Sequence, residues 1–334
     1  MRAWVLMKPA PIEELPLELL ERPTPRPQGR EVRVRVSLCG ICRTDLHIAE
    51  GELPVGKERL VLGHEIVGIV DAVGADVSRV QPGEKVGVTW LGRTCGVCKH
   101  CRAGRENYCA DFRATGRDLD GGFAEWAVAH EDAVFSLEKV AGADEQTAPM
   151  LCAGVAGYCA FRLMDVEAGD RVGLYGFGPT AYYVLRVTHH LGIEAYVSSR
   201  SARNLERARR HGAVWVGNAA EDPLPVALDA AIVFPPAGQL VELALRRVKP
   251  GGVLVLAPVA MSTIEIGQYS ANLWGRDIRT LYNVNRRDAE DFLRLAEEID
   301  MSLGTEVFPF ERCQEGMIRV RNGAIREANA AVRV

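Results

Sequence analysis

The sequence predicts an α/β protein of two domains, one antiparallel and β-rich, the other doubly wound on a six-stranded parallel sheet. Three observations carry that expectation. The first half is built of short apolar and polar alternations broken by turn residues. Near Cys152 the pattern changes to apolar strands alternating with helix-length segments. The length of 334 residues is enough for two ordinary cores.

Residues 31–37 read E-V-R-V-R-V-S, a period of two that places Val32, Val34 and Val36 on one buried face. Further strands are predicted at 65–73, 85–88 and 123–128, separated by Pro82-Gly83 and Gly121-Gly122. The Pro-rich 22–27 is a short surface connection. Beyond Cys152 strands are predicted at 171–175, 194–198, 213–216, 229–234, 253–257 and 278–283, with helices at 180–191, 202–211 and 239–248. A helix at 288–299 and irregular pieces after it are too little for a third core and are expected to return to the first domain. The expected domains are therefore 1–153 with 288–334, and 154–287.

The 40 basic and 44 acidic residues are spread along the chain, and a net charge of −4 gives no field for nucleic acid or anionic lipid. A small-molecule partner is the expectation. The longest apolar stretches, such as 252–260, fall far short of the roughly 20 residues that span a bilayer. Lys8 and Pro9 interrupt the place of a secretory core, and a cytoplasmic location is expected. The nine cysteines are bunched, as metal ligands in a reducing compartment would be.

Cys95, Cys98, Cys101 and Cys109 form C-x2-C-x2-C-x7-C. Four thiolates at this spacing fit one tetrahedral zinc, a closed site without a position for substrate and hence structural. Free or disulfide-bonded cysteines and an iron–sulfur cluster are the alternatives, the latter ranking lower for want of any sign of electron-transfer partners.

A second constellation is Gly40-Ile41-Cys42-Arg43-Thr44-Asp45-Leu46-His47, followed by Gly63-His64-Glu65-Ile66-Val67-Gly68 and Gly74. This order of motifs, ahead of the four-cysteine lobe, resembles the zinc-containing alcohol dehydrogenases of the medium-chain dehydrogenase/reductase superfamily, nearest the bacterial propanol-preferring subgroup. The resemblance runs over nearly the whole chain. It implies a GroES-like catalytic domain, a Rossmann domain and two zinc ions per chain. It also implies Cys42, His64 and Cys152 as catalytic zinc ligands, with Glu65 beside the metal as an outer or occasional ligand. Two sulfurs and an imidazole leave a fourth position open for a substrate oxygen. The resemblance further implies a proton route through Thr44 and His47, and a pyrophosphate contact from Arg43. Cys39, Cys159 and Cys313 are read as buried, small apolar side chains.

After the strand at 171–175 comes Gly176-Phe177-Gly178-Pro179-Thr180-Ala181, a G-x-G-x-x-A turn opening a helix, whose backbone suits a dinucleotide pyrophosphate. At the end of the next strand the sequence reads Val197-Ser198-Ser199-Arg200-Ser201-Ala202-Arg203. No carboxylate stands where an NAD ribose is usually held. Ser199 takes that place and Arg200 follows, a pairing suited to the 2′-phosphate of NADP, with Arg203 as helper. The cofactor is thus expected to be NADP in preference to NAD. Ala156 stands where many relatives of the resembled family have a threonine against the nicotinamide.

Hydride transfer between a primary alcohol, or its aldehyde, and NAD(P) is the expected activity. A zinc-dependent polyol or secondary-alcohol dehydrogenase is the alternative within the fold, and a non-catalytic nucleotide-binding protein the alternative outside it. A homo-oligomer, tetramer or dimer, is expected.

Overall fold

The computed structural model describes residues 1–222 and 224–334. The chain forms two compact units, Met1–Val155 with Asn283–Val334, and Ala156–Tyr282. The first begins with β1 (Arg2–Leu6), β2 (Leu17–Glu21), β3 (Glu31–Ile41), β4 (Leu60–Val61), β5 (Glu65–Val73), β6 (Lys85–Val88), β7 (Leu91–Arg93), β8 (Arg113–Ala114), β9 (Trp126–His130) and β10 (Val134–Ser136). The second holds β11 (Arg171–Tyr175), β12 (Glu194–Ser198), β13 (Trp215–Gly217), β14 (Leu228–Val233), β15 (Val248–Leu256) and β16 (Asp277–Thr280). The chain then returns to the first unit with β17 (Thr305–Pro309) and β18 (Asn329–Arg333).

In the first unit β1 lies between β2 and β4, and a larger sheet runs β10-β6-β5-β3-β18-β17 with β9 also on β3. Long β3 is its axis, antiparallel to β5, β9 and β18. Val32, Val34 and Val36 are buried as the alternation requires. The strand nevertheless runs to Ile41, past the expected end at Ser37. Register shifts against β5 at Arg33/Val34 and Val36/Leu38 break the period of two, and Leu38 to Ile41 are then buried without alternation. That extension delivers Cys42 to the end of a fully paired strand.

The tail after Ile299 corrects the expectation of irregular pieces: β17, a Cys313–Arg321 helix and β18 occupy it. β18 pairs with β3 and β17, so long-range pairing decides a segment whose own Asn-Ala-Ala sequence has little strand preference. The segment is grouped with Met1–Val155 in the first compact unit. The expected strand at 123–128 is displaced to Trp126–His130, with Phe123 instead accepting a backbone hydrogen bond from Trp4 at 2.8 Å.

The second unit has six parallel strands in the order β13-β12-β11-β14-β15-β16. This is the doubly wound order with its reversal point beside the first strand. Helices Pro179–His190, Ala202–Arg210 and Gln239–Leu245 lie close to expectation, as does Arg286–Glu298 in the first unit. The division between the units falls within a further helix, Ala153–Arg162. No helix among the described residues is long and apolar enough to cross a membrane.

Candidate metal centres and nucleotide loop

Cys42 directly follows β3 and serves as N-cap of the Arg43–Ala49 helix, its sulfur accepting from Thr44 N at 3.5 Å. His64 leads into β5, and Cys152 precedes the Ala153–Arg162 helix. Three separate stretches of chain thereby bring ligand atoms together. Cys42 Sγ lies 3.8 Å from Cys152 Sγ, and His64 Nε2 lies 3.3 Å from Cys152 Sγ. Zinc–sulfur bonds of about 2.3 Å in a tetrahedron set sulfur–sulfur edges of about 3.8 Å, so the donor set fits a zinc ion. Glu65 completes the group, with all four ligand atoms within 4.8 Å of one another.

Glu65 faces Gly40 across the β3–β5 ladder. A Cβ at Gly40 would fall 1.9 Å from Glu65 Oε2, so only glycine leaves room for the carboxylate under the cluster. Burial, reinforced by Cys42, pushes the Glu65 carboxyl well above the usual carboxylate range. The contact with Cys152 holds the Cys42 thiol well below its ordinary value and pushes Cys152 up. Two thiols and a carboxyl packed together out of water resist ionising side by side, and a bound cation would relieve that resistance.

Sequence reasoning gave no role to Asp45. Its side chain is fully buried, and its two oxygens accept from Cys42 N at 2.8 Å and Gly63 N at 3.1 Å. Asp45 Oδ1 also lies 3.2 Å from His64 Nδ1. Burial alone would lower the His64 pKa; Asp45 and the Cys42 sulfur reverse this and hold it well above the ordinary value. One carboxylate thus ties both ligand-bearing loops together and fixes the ring that faces the metal position with its other nitrogen. The only local signal was its place at the third position of a helix start. Trp90 was also missed: its ring meets His64 edge to face at 5.1 Å, and its indole N–H donates to Asn283 at 3.0 Å.

Thr44 Oγ1 is 3.6 Å from Cys42 Sγ. Thr44 and His47 stand three apart on one helix and so share a face. His47 is partly exposed, with Nδ1 hydrogen-bonded to Glu52. Arg43 is exposed at the start of the same helix.

The four-cysteine lobe is equally well formed. Cys95–Cys101, Cys98–Cys101 and Cys95–Cys109 sulfur separations are 3.9, 3.5 and 3.5 Å, close to the tetrahedral edge of about 3.8 Å. Backbone amides of Val97 and Cys98 bring the Cys95 thiol down to about 7. Cys39, Cys159 and Cys313 are buried and belong to neither cluster.

In the second unit Gly176 follows β11 with φ of +89°, and a Cβ there would strike the Pro235 ring at 2.6 Å. The space beside Gly178 is open, with nothing within 4 Å of a Cβ position, and Pro179 starts the helix whose amides face it. Phe177 is buried and Thr180 partly so. Ser199 follows β12, its amide donating to Gly217 O at 2.9 Å and its hydroxyl accepting from Ser201 N at 3.2 Å. Arg200 and Arg203 are exposed beyond it.

Residues 28–139 match the alcohol dehydrogenase GroES-like domain family. A Mycobacterium tuberculosis protein named "Probable alcohol dehydrogenase AdhA" is 40% identical over 339 aligned positions, covering 99% of this chain and 96% of that protein. Among solved structures, a cinnamyl alcohol dehydrogenase from Sorghum bicolor superposes with a TM-score of 0.85 at 26% identity, over 99% of this chain and 97% of that one. A thermostable alcohol dehydrogenase from Pyrobaculum aerophilum, described as cobalt and zinc bound, shares the fold with a TM-score of 0.88 at 23% identity, over 100% of this chain and 99% of that chain.

Proposed function

Because this chain belongs to the zinc-containing alcohol dehydrogenases of the medium-chain dehydrogenase/reductase superfamily, we propose that Cys42, His64 and Cys152 form its reacting centre and that its substrate is a small-to-medium primary alcohol or the matching aldehyde. It is an oxidoreductase that uses zinc and NAD(P). When bound, zinc acts as a Lewis acid on the substrate oxygen and the nicotinamide exchanges the hydride.

The chain's own residues supply the rest. Two thiolates and one imidazole leave a fourth position for the substrate oxygen, and Glu65 stands beside it as an outer or occasional ligand. The Thr44 hydroxyl takes the substrate proton and His47, sharing its helix face, passes it outward; Glu52, bonded to His47 Nδ1, fixes the ring. Trp90 presents an apolar ring beside His64, which suits the carbon chain of the substrate. Cys95, Cys98, Cys101 and Cys109 hold a second, structural zinc, giving two per chain.

Gly176, Phe177, Gly178, Pro179 and Thr180 cradle the pyrophosphate, with Arg43 as a further contact. Ser199, Arg200 and Arg203 favour NADP over NAD, since no carboxylate stands at the end of β12 to repel a 2′-phosphate. Exposed Trp274, Ile278 and Tyr282 beside the outer edge of β16 support a homo-oligomer, dimer or tetramer, and the two clusters of free thiols support a cytoplasmic setting.

The observation that carries the reading is the convergence of two sulfurs and an imidazole nitrogen at tetrahedral-zinc spacing. The test is a steady-state comparison of NADH and NADPH over a panel of aldehydes, on protein of measured zinc content. Zinc-loaded protein that reduces no aldehyde would refute the assignment of the centre. A higher kcat/KM with NADH would refute the cofactor preference alone.

A further inference from the structure

Arg207 lies one helical turn beyond Arg203 on Ala202–Arg210, so the two share a face. Its guanidinium reaches the glycine turn: Nη2 donates to the Phe177 carbonyl at 3.3 Å and to Asn204 Oδ1 at 3.1 Å, and the guanidinium carbon sits 5.4 Å from the Phe177 ring centre. Arg207 Nε is buried and has no hydrogen-bond partner.

No carboxylate among the described residues lies within ion-pair distance of this half-buried cation. The one glutamate of the helix, Glu206, serves the outer arginines instead, at 2.9 Å from Arg209 and 3.9 Å from Arg210. Burial, and then the charge of Arg203, hold the Arg207 pKa below its ordinary value. A guanidinium is rarely buried without an anion or a full set of acceptors, because its desolvation is then uncompensated. Here the protein supplies two neutral acceptors and leaves one inner N–H free, on the helix that follows β12 and against the turn that follows β11. In a doubly wound sheet those two loop ends are where the adenosine side of a dinucleotide lies.

We propose that Arg207 is a cofactor-specificity residue, its guanidinium pinned on Phe177 so that it receives the 2′-phosphate of NADP together with Arg203. This rests on the NADP reading above and adds to it a half-buried residue that is pre-positioned by the fold, where Arg200 and Arg203 are exposed. Pre-positioning matters because a side chain already held in place loses little rotamer freedom when the ligand arrives.

The test is binding of 2′,5′-ADP and 5′-AMP, and of NADPH and NADH, to zinc-loaded full-length protein and to its Arg207→Gln and Arg207→Lys variants, followed by calorimetry. Loss of one charge-assisted contact is expected to weaken 2′,5′-ADP and NADPH about 10- to 100-fold in Arg207→Gln. Binding of 5′-AMP and NADH should move less than about twofold, and Arg207→Lys should recover part of the loss. An Arg207→Gln variant that loses 5′-AMP and 2′,5′-ADP equally would make Arg207 a prop for the Phe177 turn and overturn the inference, as would an unchanged ratio. A wild-type protein that binds 2′,5′-ADP no better than 5′-AMP would overturn the NADP reading itself. Matching melting temperatures of the variants establish that binding and not folding has changed.

Discussion

Replacing Asp45 by Asn keeps the shape of the side chain and removes its charge and one acceptor face. In the native arrangement Oδ2 accepts from Cys42 N, while Oδ1 accepts from Gly63 N and faces His64 Nδ1. An amide has one oxygen, so whichever way it turns, its NH2 must confront at least one buried backbone N–H. An orphaned buried donor of this kind costs about 1–3 kcal/mol of folding stability. His64 also loses the carboxylate that orients its ring, and loss of such a partner typically weakens metal affinity about 10- to 100-fold. At about 1.4 kcal/mol per tenfold, that is a further ~1.4–2.8 kcal/mol of metal-linked stability at saturating zinc. The assay is competition with a chromogenic chelator, following zinc release. The four-cysteine lobe shares no ligand with this centre, so it serves as an internal reference: one ion should leave early and the other at the wild-type chelator concentration. Release of both ions from Asp45→Asn at wild-type chelator concentrations would refute the reasoning.

Three further outcomes follow from the same geometry. Gly40→Ala places a methyl into the Glu65 carboxylate and should cost about 1–3 kcal/mol in denaturant unfolding, with reduced zinc retention at the Cys42 centre; an unchanged melting curve would show that the ladder yields freely. Cys101→Ser removes one sulfur of the lobe and should lower zinc content by one ion per chain in elemental analysis, while the Cys42 centre stays loaded; two retained ions would speak against a four-sulfur site. Glu131 is buried, and although burial raises its pKa, the Ser78 and Arg79 amides and Arg30 prevail and bring it to about 2. Its contribution, on the order of 3 kcal/mol, is present above the unfolded-state value of about 4.3 and is lost as pH falls towards 2. Glu131→Gln should therefore be less stable near neutrality and lose less between pH 5 and 2; parallel acid-unfolding curves would disprove this.

What could be read in advance and what could not divide along the range of the interactions. The Cys95 to Cys109 lobe was legible because its ligands lie within one short loop, where spacing is itself a statement about geometry. The six parallel strands were legible because each carries its own apolar run and each crossover helix its own period. Cys152 was reached only through resemblance, since nothing local distinguishes it from buried Cys159. Asp45 was unreadable in its role because an acid at the start of a helix is ordinary, and only the packed structure shows it buried between two backbone amides. The length of β3 and the existence of β18 were lost for one reason: both depend on each other across nearly 300 positions, and neither bulge nor late partner leaves a periodic trace. The exposed Arg200 was noticed for its place after β12, whereas Arg207 stood in a run of arginines that gave no reason to prefer it.

The placement of β18 beside β3 has a bearing on how this protein matures. A ribosome makes Cys42 and His64, two of the proposed ligands, early, yet the strand that flanks their supporting ladder is not made until after residue 328. During the synthesis of everything between, the nascent metal-binding unit carries an unsatisfied edge along residues 38–41, immediately ahead of Cys42. Metal loading before chain release would then meet a pocket whose supporting strand still lacks its last partner.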